Sequence, residues 1–473
     1  MQRATENGAL METLTEATDT SAATLERLAE LDVDALWVVY HDYAGLGRAK
    51  AVPRGRFEYV AAEGVTFAMA NWDLAITDEQ VPHPGFGADS GDFRAVPDPA
   101  TLVRVPHRPR VGQAFAWLAD DTGKPWAGDP RAALARQVEA LGRLGIALRV
   151  AFEAEFVVVP GSDPSALHDD TGRMFAVEGL DTRWPLGARV LDDLEAAGIA
   201  VHQFAKEYGP GQFEVSLLPA EPLVAADRFL LARQLVRAAA RELGLTASFM
   251  PKPYADLPGN GLHVHLGLTR VGDPRVDLVA DPDDPRRLAT TAGPLIAGLL
   301  AHAHGQSALS SPTPNSYKRL LPGSWAPAHV SWAIGNRSAL VRVPGRGTSR
   351  HLEARGGDAG MNPYLHLAGL LASIADGVSR DLAMPPEAQV DIGHLPDNEA
   401  AAAGFERLPS NLPEALDAFE DDDVLHDAVG PLIARHYVDV KRFEWATYLD
   451  RSGRAADSTE VSDWERRTYF ECL

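Results

Sequence analysis

The segment Arg149 to Pro160, RVAFEAEFVVVP, sets Glu153 and Glu155 inside an apolar run with no Gly, Asn or Ser to form a turn. On a strand, residues i and i+2 face the same side, about 6.6 Å apart. Glu153 and Glu155 therefore share a face, and Phe152, Ala154 and Phe156 pack on the other. At an effective dielectric near 20, carboxylates at that spacing repel by about 2 to 3 kcal/mol before any desolvation cost. A fold that keeps this strand must bring compensating groups to its acidic face.

Three further strand-like segments carry the same oddity. KEYGPGQFEVSLLP offers Glu207 and Glu214 around a Gly-Pro-Gly turn, GLHVHLGL offers His263 and His265 on one face, and RHLEARGG offers Glu353 and Arg355 on one face. One such pair reads as a salt bridge; four suggest a common cavity. If the faces converge, five carboxylates and an imidazole form a ligand set suited to Mg²⁺ or Mn²⁺. Zinc fits less well without cysteine. Arg319, Arg337, Arg342 and Arg355 form a second, basic set, whose forks suit carboxylate and phosphate oxygens or, alternatively, simply neutralise the acids.

Composition narrows the class. The net charge of −22 over 473 residues argues against nucleic acid, and no run approaches the ~20 apolar residues of a membrane span. Cys472 is the only cysteine, which gives no support for a disulfide framework or a thiolate metal site. Residues 1–20 read as a disordered leader of a cytoplasmic protein. Residues 21–115, with a helix over SAATLERLAE, two strands around AGLG and a long Pro- and Gly-rich stretch, read as a small β-rich domain. Asp129 then caps a helix with Pro130 at its first position, and 116–473 reads as a larger α+β domain.

At this point the motifs resemble the glutamine synthetase family, in order and from about residue 35 to the end. FEAEF resembles its paired-glutamate strand, EYGPGQFE its second metal segment, and GNGLHVHLGL its histidine strand. NSYKRLLPG and NRSALVRVP resemble its arginine segments, and HLEARGGDAGMNPYL its last metal and substrate strand. The resemblance implies a β-grasp N-terminal domain and a catalytic α+β domain built on a curved antiparallel sheet flanked by helices. It implies a homo-oligomer, a dodecamer of two stacked hexameric rings with shared active sites. It also implies ATP as phosphoryl donor, two to three Mg²⁺ or Mn²⁺ ions per site, and a ligase that phosphorylates the side-chain carboxylate of glutamate before a nitrogen nucleophile displaces phosphate. Carried over by motif, Glu155, Glu207 and Glu214 would hold one metal, and Glu153, His263 and Glu353 another. His265 would meet the nucleotide phosphates, Arg319, Arg355 and Gly259 the glutamate, and Arg337 and Arg342 the transferred phosphoryl group, with Arg342 also at the nucleotide.

The departures cluster on the nucleophile side. Where the family's flap has Pro-Gly-Tyr-Glu-Ala-Pro, with a Glu that takes a proton from ammonium, this chain has PGSWAP, placing Ser324 and Trp325 at the Tyr and Glu positions. Where the family has an ammonium-binding Asp, FAMANW places Ala68, with Asp73 nearby as a candidate proton acceptor. Pro258, Thr348 and His351 also replace the family's Asn, Lys and Arg. The expectation is a γ-glutamylamide or γ-glutamylpolyamine synthetase that joins glutamate to an organic amine. The alternatives are a true glutamine synthetase using ammonia and a non-catalytic structural or regulatory member.

Overall fold

The computed structural model describes residues 17–166 and 173–473. The expected leader lies outside these residues except for its last four, which already belong to a helix, Ala17–Leu31. That helix thus begins a turn before Ser21, the first residue of the helix read from the sequence.

Six strands form the first sheet: β1 (Ala35–His41), β2 (Gly47–Pro53), β3 (Val65–Ala68), β4 (Asp92–Pro97), β5 (Val103–Arg104) and β6 (Val111–Ala119). Their order is β2-β1-β6-β4-β3, with β5 also on β6. Only β1 and β6 run parallel. The sequence reading divided the chain at residue 115, because Pro and Gly density falls there. In the fold β6 runs through that point to Ala119, and its pairing with β1, β4 and β5 makes it the centre of the sheet.

The second sheet has nine strands: β7 (Ile146–Pro160), β8 (Val201–Lys206), β9 (Gln212–Leu217), β10 (Leu245–Ser248), β11 (Leu262–Arg270), β12 (Asp273–Asp277), β13 (Trp332–Ile334), β14 (Val341–Val343) and β15 (Leu352–Ala354). The order is β13-β14-β15-β11-β7-β9-β8, with β10 on β7 and β12 on β11, and every pairing is antiparallel except β13 with β14. The fifteen-residue β7 is its spine. One face of β7 is core: Phe152 stacks on Phe229 at 5.0 Å, and Phe156 meets Phe249 at 5.2 Å. The helices Pro130–Arg143, Trp184–Ala196, Pro222–Glu242 and Pro363–Ser379 supply the apolar side chains of that core. This leaves the acidic face of β7 free for chemistry.

Capping works as the residue types require. The Asp129 carboxylate accepts from Arg131 N at 2.9 Å and from Leu118 N at 3.0 Å, starting the helix Pro130–Arg143. Asn362 does the same for Pro363–Ser379, accepting from Tyr364 N at 2.9 Å. The two sheets are tied together by Arg131, which reaches Asp98 and Asp227 at 2.8 Å each and lies 3.9 Å over the Trp117 ring.

Candidate active site

Strand register assembles the site. Glu153 lies opposite His263 on β11 and Ser216 on β9, while Glu155 lies opposite Glu214. His265 lies opposite Glu353 on β15, which in turn lies opposite Arg342 on β14. The four acid-bearing segments of the sequence are therefore neighbours across one sheet face.

Among the described residues, two groups of side chains come close enough to share a cation. The ligand atoms of Glu153, Glu214 and His263 lie within 4.8 Å of one another, and so do those of Glu153, His265 and Glu353. Carboxylate oxygens with imidazole nitrogens at this spacing fit a divalent cation such as Mg²⁺ or Mn²⁺. Glu153 belongs to both groups. His263 Nδ1 stands 3.6 Å from Glu153 and 3.8 Å from Glu353, and His265 Nε2 stands 3.2 Å from Glu153.

These proximity groups stand beside the partition carried over by motif. Glu214 joins Glu153 and His263 rather than Glu155 and Glu207, and His265 enters a cation-competent group rather than standing apart from it. The reason is register: Glu153 sits centrally between β9 and β11, with His265 one alternation further along β11. Glu155 instead accepts from Gly261 N at 2.7 Å. Glu207 lies beyond it, beside the β8–β9 turn.

Electrostatics set the state of these acids. Burial, together with the charges of Glu153 and Glu155, pushes the Glu214 carboxyl up to about 8. Burial and Glu155 push Glu207 up to about 7. For Glu353 burial acts the same way, but Arg355, His263, His265 and Arg342 outweigh it and bring the carboxyl down to about 2. Burial would also raise Glu153, and the imidazoles of His263 and His265 overcome it and hold it well below its usual range. Burial in turn lowers His263 and His351, favouring neutral rings.

The arginines divide into two kinds. Arg342 Nη1 pairs with Glu353 at 2.8 Å, and Arg355 pairs with the other oxygen of Glu353, so both neutralise an acid in this structure. Arg319 is buried, and among the described residues it has no carboxylate partner and its Nη1 no hydrogen-bond partner. A guanidinium so placed suits a substrate carboxylate. Gly259 and Gly261 permit this packing: a Cβ on Gly259 would meet Pro251 O at 2.7 Å, and one on Gly261 would meet Arg319 Nη2 at 2.6 Å and His263 Nε2 at 3.0 Å. Arg337 is exposed, and its carbonyl accepts from Arg355 Nε at 3.1 Å.

On the nucleophile side, Trp325 is 69% exposed and takes a left-handed backbone conformation, φ 62°. Ser324 beside it turns back to the Arg319 carbonyl at 2.8 Å. Ala68 is exposed at the end of β3. Asp73 is not available as a proton acceptor: it is fully buried, bonded to His436 Nδ1, and it accepts from Phe86 N at 2.6 Å. A buried carboxylate must find partners, and here one comes from the helix Pro431–Ser452 and the other from the segment before β4.

Two contacts escaped the sequence reading. Ser216 donates to Glu214 at 2.8 Å, and His351 Nε2 lies 2.7 Å from His265 Nδ1. The signal for both is the period of two, since Ser216 follows Glu214 and His351 precedes Glu353 by two residues on the same faces.

The geometry can be set against known proteins. Residues 22–126 match the family described as glutamine synthetase N-terminal domain, and 127–469 that described as glutamine synthetase, catalytic domain. The glutamine synthetase of Pyrococcus horikoshii is 33% identical over 439 residues, covering 92% of this chain and 95% of that protein. The glutamate–methylamine ligase of Methyloversatilis universalis is 34% identical over 461 residues, covering 94% and 98%. A solved structure described as a GmaS/ADP complex superposes with a TM-score of 0.80 at 30% identity, covering 94% of this chain and 98% of that one. Among the described residues no helix is long and apolar enough to cross a membrane. With both halves of the chain matched by the family's two domains, the chain belongs to the glutamine synthetase family, whose members are ligases.

Proposed function

We propose that the protein is an ATP-dependent ligase that joins the side-chain carboxylate of glutamate to an organic amine. The γ-phosphoryl group of ATP passes to the carboxylate, giving ADP and a γ-glutamyl phosphate. The amine nitrogen then attacks the acyl carbon, phosphate leaves with the bonding pair, and the nitrogen loses a proton to give the amide. Divalent cations held by Glu153, Glu155, Glu207, Glu214, His263, His265 and Glu353 would supply charge neutralisation for the phosphoryl group. Arg319 and Arg355 would orient glutamate, while Arg337 and Arg342 would steady the oxygens of the transferred group.

The observation that carries the choice of nucleophile is the flap. Pro322 to Pro327 holds no acid, and its exposed Trp325 offers an apolar, π-rich surface in place of a carboxylate. An alkylammonium, with a pKa near ~10.4, can rest on an indole face and lose its proton as the surface desolvates it. The likeness to a glutamate–methylamine ligase supports the same reading. Assembly into two stacked hexameric rings is part of the proposal, and sedimentation of the full chain tests it. The reaction is tested by phosphate release from ATP and glutamate with a panel of amines and ammonium. Turnover with primary amines above that with ammonium is expected, and turnover with ammonium alone would sink the proposal. The relatives named glutamine synthetase favour that second outcome.

A further inference from the structure

One buried carboxylate links the helix Asp463–Tyr469 to the segment that carries Arg319. Glu465 is fully buried. Its Oε2 accepts from Ser462 N at 2.7 Å and from Ser462 Oγ at 2.8 Å, closing the cap of its own helix. A cap needs no more than that, yet two further donors come from elsewhere in the chain. Lys318 Nζ lies 2.8 Å from each carboxylate oxygen, and Asn315 Nδ2 donates to Oε1 at 3.0 Å. A buried ion pair repays little of its desolvation cost, so stability alone is a poor account of this one.

What the carboxylate holds is the surroundings of Arg319. Asn315 precedes and Lys318 ends the 3₁₀ turn Ser316–Lys318, and Arg319 is the next residue. The Asn315 amide is fixed in orientation, since Oδ1 accepts from Lys252 N at 2.7 Å and Nδ2 donates to the Lys252 carbonyl at 3.0 Å. That bridge ties down the stretch from Met250 to Lys252, from which the glycine loop hangs: Asn260 N donates to Pro251 O at 2.7 Å and Asn260 Nδ2 to Met250 O at 2.9 Å. Arg319 packs into that loop, its Cγ 2.9 Å from where a Cβ on Gly259 would stand. The guanidinium has little hold of its own, a 3.4 Å bond from Nη2 to the Arg355 carbonyl. We infer, on the reading that Arg319 binds glutamate, that Glu465 is a positioning residue: it keeps Arg319 and Gly259 in fixed relation, so that a substrate carboxylate meets a preformed site.

Glu465→Gln keeps the shape and an oxygen for Ser462 but turns an amide NH₂ toward Lys318 and Asn315, whose facing groups are both donors. In steady-state kinetics on the full chain this variant should raise KM for glutamate by about tenfold, the worth of one hydrogen bond to a charged group, with KM for ATP unchanged. Ser462→Ala, which breaks the cap and spares the contacts to Asn315 and Lys318, should lower the melting temperature and leave both KM values unchanged. Measured by titration calorimetry, adding Glu465→Gln to Arg319→Gln should cost no further glutamate affinity, because the two residues act as one unit. Equal shifts in KM for glutamate and ATP, or additive losses in the double variant, would overturn the inference. Arg319→Gln with undiminished glutamate binding would instead overturn the reading of Arg319 itself, a distinct failure. Hydrogen exchange on the wild type needs no variant to fold: glutamate with Mg²⁺ should slow exchange in residues 315–320, 250–261 and 460–466 together. Protection confined to 315–320 would overturn the role given to Glu465.

Discussion

At the scale of single residues, Glu153 is the pivot, because both cation-competent groups include it. Glu153→Gln keeps the shape and removes the charge, so phosphate release should fall on the order of a hundredfold or more while thermal stability stays near that of the wild type. Parallel activity and circular dichroism melts check this; retained activity would remove the cations from the account. Trp325 carries the choice of nucleophile. Trp325→Ala should raise KM for the amine by up to roughly tenfold, the loss expected of a cation–π contact, with little change in kcat. Trp325→Glu, which returns an acid to the flap, should improve use of ammonium relative to alkylamine. Much of this site was legible in the sequence, because alternation on a strand fixes which side chains share a face. Glu153 and Glu155 could be placed together without any structure. Which acid meets which imidazole could not, since it depends on register between strands far apart in the chain.

At the scale of elements, helix breaks show where pattern reading fails. RRLATTAGPLIAGLLAHAHGQSAL reads as one helix, but the structure has two, Ala292–Ala301 and Ala303–Ser310, with His302 between them. The cause lies elsewhere in the chain: His302 Nδ1 faces Asp422 at 2.7 Å and Nε2 faces Asp376 at 3.1 Å. Both ring nitrogens donate, so the clamp holds the imidazolium. Burial alone would lower the pKa of His302, but Asp422 and Asp376 outweigh it and raise it above 6.5. The clamp therefore contributes fully below about 6.5 and is lost as pH rises through the raised folded value. Between pH 6 and 9 the wild type should lose more thermal stability than His302→Gln, measured by melts at matched ionic strength; parallel curves would contradict the clamp. By contrast, the helix begun by Asp129 was readable locally, since the cap and the following proline are adjacent in the chain.

At the scale of the whole molecule, the two sheets are not independent bodies. Trp72, Phe93 and Leu118 of the N-terminal part share one apolar cluster with Leu416, Ile433 and Tyr437 near the C-terminus. Asp73 with His436 and Ile76 N with Glu444, at 2.7 Å, add polar ties between the same parts. Calorimetry of the metal-free chain should give a single cooperative transition, whereas two well-separated transitions would mean that the shared cluster does not couple them. Such coupling keeps the β3 end, where Ala68 stands, in a fixed relation to the rest of the chain. The central claim concerns what the assembled site makes, and a direct competition measures it. With ATP and glutamate held constant and ammonium and a primary alkylamine supplied together at equal concentration, mass spectrometry of the products should show the γ-glutamyl alkylamide in excess. Glutamine as the dominant product would contradict the account.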